Sequence, residues 1–203
     1  MQFDSHDAVA VLTLPCRDLY PRLTRAVLGE LRDLLAAIRR EEAFHGVAIA
    51  SQGESFATGA DLEEVSQLRG EPARTFARLG QGVFEEIEQF PLPVVAAIRG
   101  YCLGGGLDLA LACHARVATY DATFGHPGAS LGLITGWGGT QRLPRLVGRA
   151  QALQMLVTAE RMPAAQALTM GLVDELAPSA DLIESAAQRA KRIGACVPWH
   201  ASA

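Results

Sequence analysis

No apolar run in this 203-residue sequence approaches the ~20 residues needed to span a bilayer, so no transmembrane helix is expected. Its four cysteines, Cys16, Cys102, Cys113 and Cys196, never adopt Cys-x-x-Cys spacing, and with only five histidines they form no zinc pattern. They read as reduced thiols, mostly buried. An excess of positive charge is also missing: the net charge of −4 excludes a generally basic nucleic-acid surface, while leaving room for a local basic patch. The opening Met1-Gln2-Phe3-Asp4-Ser5-His6-Asp7 is acidic and polar and lacks the marks of a secretory or transit peptide, so the cytoplasm is the default location. Two glycine-rich signatures are absent as well. There is no Gly-Lys-Ser/Thr to close a phosphate loop, and Gly104-Gly105-Gly106 lacks the Gly-x-Gly-x-x-Gly spacing of a dinucleotide site.

What remains is a composition that suits a soluble single domain, with 49% hydrophobic and 20% charged residues. Val9 to Leu14 alternates like a strand, and Leu23, Val27, Leu28, Leu31, Leu34, Leu35 and Ile38 recur at helical spacing. Val47 to Ala50 and Val94 to Ile98 read as buried strands, with a helix from Arg74 to Gln89 between them, ended by Phe90-Pro91. Leu107 to Cys113 reads as a helix, and Val117 to Thr119 and Thr123-Phe124 as short strands. Past Gly148 the chain turns helical, over Arg149 to Thr158, Ala164 to Met170 and a last helix signalled by Ser179, with Leu182, Ile183, Ala186 and Ala190 on one face. Alternating strands and helices imply an α/β fold.

Two turns carry the chemistry. Gly104-Gly105-Gly106 follows a buried strand and opens a helix, which leaves backbone N–H groups free to face an anion. Gly53 to Leu62 repeats that design after Val47 to Ala50, ending in Phe56-Ala57-Thr58-Gly59-Ala60-Asp61-Leu62. Taken alone, the glycines also fit a structural role in close helix–strand packing. Two such turns meeting at one oxygen would form an oxyanion hole.

These two segments, together with Gly100 to Leu109 and Gly136-Trp137-Gly138-Gly139-Thr140-Gln141-Arg142-Leu143, resemble the crotonase family of enoyl-CoA hydratases, isomerases and relatives. The resemblance runs over about residues 8 to 178, in the family's order. It implies a crotonase-like spiral of strand-strand-helix turns over residues 1–178, followed by a shortened C-terminal helical region at 179–203. It implies further that the N–H groups of Ala60 and Gly105 hold the thioester oxygen of an acyl-CoA, with Asp108 as acid/base and Thr58, Leu62, Gly128 and Trp137 around the substrate. Coenzyme A would enter as part of the substrate, with no tightly bound cofactor and no metal. Family chains usually continue through helices that cover the acyl site and build a trimer; apolar surface left by a shorter end favours a homo-oligomer, trimer or hexamer.

Departures from the family pattern bear on the reaction. Typical hydratases carry two glutamates, where this chain has Asp108 and Gly128. Glycine can neither activate water nor manage a proton, so isomerisation or another single-acid reaction fits better than hydration. His126 titrates near neutrality and lies two residues away, but it reads first as a turn residue; alternation aims it alongside Gly128 only if the segment stays extended. Trp137 reads as pocket lining or as packing, and Leu133 and Ile134 are nominated for the pocket. Arg17, Arg22, Arg25, Arg39 and Arg40 are candidates for the CoA phosphates, although Leu14 to Arg22 departs from the family's loop. Two classes remain open: an enzyme of enolate chemistry, lyase or isomerase, or a catalytically inactive CoA-thioester-binding or assembly protein on the same fold.

Overall fold

A computed structural model describes residues 1–16 and 20–196. Arg17 and the chain after Cys196 lie outside the described residues. The chain opens with β1 (Gln2–His6), β2 (Val9–Leu14), α1 (Arg25–Ile38), β3 (Gly46–Ser51), α2 (Leu62–Gln67) and α3 (Gly70–Glu88). It continues with β4 (Val94–Ile98), β5 (Tyr101–Leu103), α4 (Gly105–Ala112), β6 (Ala115–Thr119) and β7 (Thr123–Gly125). The last part holds α5 (Gly139–Val147), α6 (Arg149–Thr158), β8 (Met162–Pro163), α7 (Ala164–Thr169), β9 (Glu175–Ala177) and α8 (Leu182–Cys196).

A six-stranded sheet runs in the order β1-β2-β3-β4-β6-β9, with β1 antiparallel to β2 and every other pair parallel. Parallel strands need both faces covered, which is why β4 and β6 are buried at every position. Leu12, Val47, Ile49, Val94, Ala96 and Ile98 face the larger core with α1, α3 and α4. Val11, Ala48, Val95, Ala97 and Val117 meet Leu182, Ala186, Ala187 and Ala190 of α8 on the other side. Helix α1 begins where Thr24 accepts a bond from the Val27 N–H at 3.2 Å, and it buries Val27, Leu28, Leu31, Leu35 and Ile38 as its spacing predicts. Helix α3 starts four residues earlier than expected, at Gly70, and the Ser179 signal marks a short 3-10 turn, Ser179–Asp181, ahead of α8.

A smaller sheet, β5-β7-β8, stands apart from the larger one and positions the candidate site. Among the described residues no helix is long and apolar enough to cross a membrane, and Cys102 and Cys113 are free, buried thiols.

Arg116 of β6 is the main charged group inside the fold. Its Nε donates to the Leu172 carbonyl at 2.8 Å, Nη1 to the Cys113 carbonyl at 2.9 Å and Nη2 to Asp174 Oδ2 at 2.9 Å. Asp174 also accepts from the Arg116 backbone N–H at 2.9 Å. Truncating Arg116 removes its bonds to the two buried carbonyls together with the ion pair, while Asp174, 24% exposed, keeps Arg189 Nη2 at 3.3 Å. Arg116→Ala is therefore expected to cost about 3 kcal/mol, read as a lower urea midpoint with an unchanged slope.

Candidate active site

Strand β4 delivers the chain to Gly100, whose φ of 51° and close approach to the Glu54 carbonyl exclude any side chain. Strand β5 follows, and Phe56 to Thr58 runs parallel beside it: the Ala57 N–H donates to the Tyr101 carbonyl at 3.1 Å, and the Leu103 N–H to the Ala57 carbonyl at 2.9 Å. Gly104, at φ 52°, then turns the chain into α4. Gly59, at φ 107°, turns the facing segment toward α2, whose N-terminus Asp61 caps through the Glu63 and Glu64 N–H groups at 2.9 and 3.1 Å.

These glycines let the two turns touch. A Cβ on Gly59 would lie 3.0 Å from the Gly105 nitrogen, and one on Gly105 would lie 3.4 Å from the Ala60 nitrogen. Among the described residues, backbone bonds in the two turns use the N–H groups of Ala57, Thr58, Leu103 and Gly104, and leave those of Ala60 and Gly105 out. The adjacent helix start adds its dipole to the Gly105 donor.

A cavity of about 350 Å³ opens over this junction, and Thr58, Ala60, Leu62, Gly105, Asp108, Gly128 and Trp137 all line it. Leu133 and Ile134 line it as well, so every residue nominated from sequence for the site or its pocket meets there. Trp137 both lines the pocket and packs. Its ring makes edge contacts with Phe76 and Phe84, at centroid distances of 5.3 and 5.7 Å, and fills a slot that side chains on Gly80 or Gly105 would close. Gly128 sits in the 3-10 turn Pro127–Leu131 and leaves the wall bare, although a Cβ there would press on the Leu133 carbonyl at 3.0 Å.

Asp108 is wholly buried on the first turn of α4. Its Oδ2 accepts from the Thr135 hydroxyl and from the Trp137 N–H at 3.3 Å. Burial raises the carboxyl from an ordinary value near 3.8 to about 6, against the opposing pull of those two bonds and of Arg142. His126 stands at the N-cap of the 3-10 turn, as the turn reading expects, and is buried there. It is 3% exposed, lines the same cavity, and places Nε2 3.7 Å from Asp108 Oδ1. Burial pushes its imidazole down to about 4. Thr135 is a site residue that sequence reasoning misses; nothing local marks it, because its bond to Asp108 closes over 27 residues.

The arginine candidates divide. Arg22 pairs with Asp61 at 3.2 Å, and Arg25 with Glu64 at 3.4 Å while lying over the Phe76 ring. Arg39 lies over Phe90, and Arg40 is exposed. Arg22 lines a second hollow of about 330 Å³ with Tyr20, Thr24 and Asp61.

The family model described as "Enoyl-CoA hydratase/isomerase" matches residues 4–203. The chain is 36% identical to an enoyl-CoA hydratase from Bacillus anthracis, with a TM-score of 0.89 over 95% of this chain and 75% of that one. It is 33% identical to Pseudomonas aeruginosa DspI, with a TM-score of 0.90 over 97% of this chain and 81% of that one. An enoyl-CoA hydratase from Polaromonas sp. JS666 is 27% identical, with a TM-score of 0.90 over 96% and 77% of the two chains.

Proposed function

Because the chain belongs to the enoyl-CoA hydratase/isomerase family, we propose that its cavity binds an acyl-CoA thioester and moves a proton on the acyl chain through an enolate. The N–H groups of Ala60 and Gly105 hold the thioester oxygen. Asp108 takes the proton from carbon as the C–H bond breaks, and that electron pair moves onto the oxygen between the two donors. Each backbone donor of this kind contributes about 2.7–4 kcal/mol to the transition state. Coenzyme A enters only as part of the substrate, with no resident cofactor.

The observation that carries this reading is a buried carboxyl, raised to about 6, in the wall of a cavity that also contains the junction of the two turns. A base poised near the working pH is suited to proton transfer at carbon. Isomerisation is favoured over hydration because Gly128 offers the cavity no side chain to activate water. Thr58, Leu62 and Trp137 shape the acyl end, which is mostly apolar. The exposed Leu131, Ile134, Leu153 and Val157 support a homo-oligomer, trimer or hexamer. One observation favours the alternative of an inactive thioester-binding protein: Asp108 Oδ1 is shielded and has no hydrogen-bond partner among the described residues.

Crotonyl-CoA in heavy water, followed by mass spectrometry, separates the readings. Carbon-bound deuterium without added water is the expected result, whereas binding without any change leaves the inactive protein. Gly128→Glu is expected to add measurable hydration once the 128–133 turn yields a few tenths of an ångström to the new Cβ. A variant that still exchanges deuterium yet never hydrates would show that more than one acid separates this site from a hydratase.

A further inference from the structure

Among the described residues, Asp108 and His126 are the only ionisable side chains that line the cavity. Asp108 Oδ1 and both imidazole nitrogens are buried without a hydrogen-bond partner among those residues, and Oδ1 faces Nε2 at 3.7 Å. Buried polar atoms left in this state are costly, because they have given up water without gaining a partner. With the imidazole proton on Nδ1, two lone pairs face each other and repel, whereas one proton between Oδ1 and Nε2 turns the same pair of atoms into a charge-assisted bond.

The surroundings offer no other outlet for that proton. Arg142 of α5 approaches from one side, but its guanidinium is committed to Glu88 at 2.8 Å and to the Trp137 carbonyl at 3.0 Å. Cys102 of β5 and Cys113 after α4 are buried thiols held firmly protonated, bonded to the Gly106 and Leu109 carbonyls. On the remaining side Gly139 packs against both groups: a Cβ there would lie 3.0 Å from the His126 ring, and closer still to Asp108 Oδ1. Thr135 and the Trp137 N–H hold Oδ2, and Oδ1 turns to His126, with the Gly139 N–H also drawing on the carboxylate.

We infer that Asp108 Oδ1 and His126 Nε2 close around a single proton, so that His126 holds the proton that the buried carboxyl takes from one carbon and gives back to another during turnover. This deepens the proposed function and rests on Asp108 being its base. In the step, the substrate C–H bond breaks, its electron pair moves to the thioester oxygen, and the proton passes to Oδ1 and on to Nε2. Return along the same line delivers it to the second carbon. His126 touches no reacting carbon; it positions and recharges Asp108.

Two measurements test this on the full chain. In ¹⁵N NMR without ligand, the Nε2 resonance of His126 is expected to titrate together with the carboxyl, and to lose that coupling in Asp108→Asn. In heavy water with butyryl-CoA, which cannot be hydrated, His126→Gln and His126→Asn are expected to lower the exchange rate about 10²-fold with KM within twofold, and to displace a limb of the pH profile. An imidazole titration identical in Asp108→Asn, or wild-type pH profiles in both His126 variants, overturns the inference. If the wild-type protein exchanges no deuterium, the proposed function falls, while the NMR titration still decides whether the pair shares its proton.

Discussion

Asp108→Asn is expected to abolish deuterium exchange into the acyl-CoA and, in the same protein, to raise folding stability at pH 8. The loss of activity follows from removing the only carboxyl among the described residues of the cavity wall, an effect of about 10²–10⁴-fold for a group that transfers protons. The gain in stability follows from the direction of its titration. Burial raises the folded carboxyl from near 3.8 to about 6, so its contribution is fully present below about 3.8 and is lost as pH rises through 6. Above pH 6 the native protein holds a desolvated charge that the unfolded chain would hydrate. Asparagine keeps an oxygen for the Thr135 hydroxyl and the Trp137 N–H, and its amide offers a donor toward His126 Nε2. Every tenfold weakening of acidity on folding corresponds to about 1.4 kcal/mol, and some of that is offset where the amide meets donors at the start of α5. A net gain of about 1–2 kcal/mol at pH 8, vanishing toward pH 4, is the expected difference in urea unfolding.

His126 runs in the opposite direction. Its folded value is depressed from 6.5 to about 4, so its contribution is complete above 6.5 and is lost as pH falls through 4. Wild type and variant should therefore both lose stability in acid as His126 charges, while the gap between them, open at pH 8, closes as Asp108 protonates between about pH 6 and 4. A variant that is less stable than wild type at every pH would mean that Asp108 serves the fold rather than the chemistry.

The parts of the structure legible in the sequence are those with a local cause. Strand β2 has the predicted bounds, and α1 buries the residues its period selects. Both glycine turns fall where strands end and helices begin. What is not legible depends on partners distant in the chain. Strand β1 is exposed at nearly every position, so it shows no apolar alternation; it exists because its backbone pairs with β2 from Gln2↔Thr13 to His6↔Val9. Helix α5 carries Pro144 in a nine-residue span, which breaks the pattern a reader looks for. His126 reads as a turn residue from sequence because only an extended segment would aim it beside Gly128. At φ −117° and ψ 76° it leads directly into a 3-10 turn, with Gly139 packed beside its ring.

Gly106→Ala should be the most damaging single methyl group in the site, because backbone surrounds the place where it would go. A Cβ on Gly106 would lie 2.3 Å from the Ala57 carbonyl oxygen and 2.7 Å from its carbon. Ala57 cannot retreat alone, since it is bonded on both sides to β5, at 3.1 Å to Tyr101 and 2.9 Å from Leu103. The strain has to open the seam between Phe56–Thr58 and α4, which carries Ala60 away from Gly105. Overpacking of this kind costs about 1–3 kcal/mol in stability. The functional cost is larger, because the two proposed oxyanion donors would lose their common focus; a fall in exchange rate of about 10³-fold or more is expected. Gly82→Ala is the matching control. It lies in α3 with nothing within 4 Å of its Cβ, and alanine there should stabilise the helix by about 0.5–1 kcal/mol with unchanged exchange. Thermal melts with exchange rates on both variants separate a packing defect from a site defect. A folded Gly106→Ala protein that exchanges deuterium at the wild-type rate would show that the contact between the two turns does not make the oxyanion site.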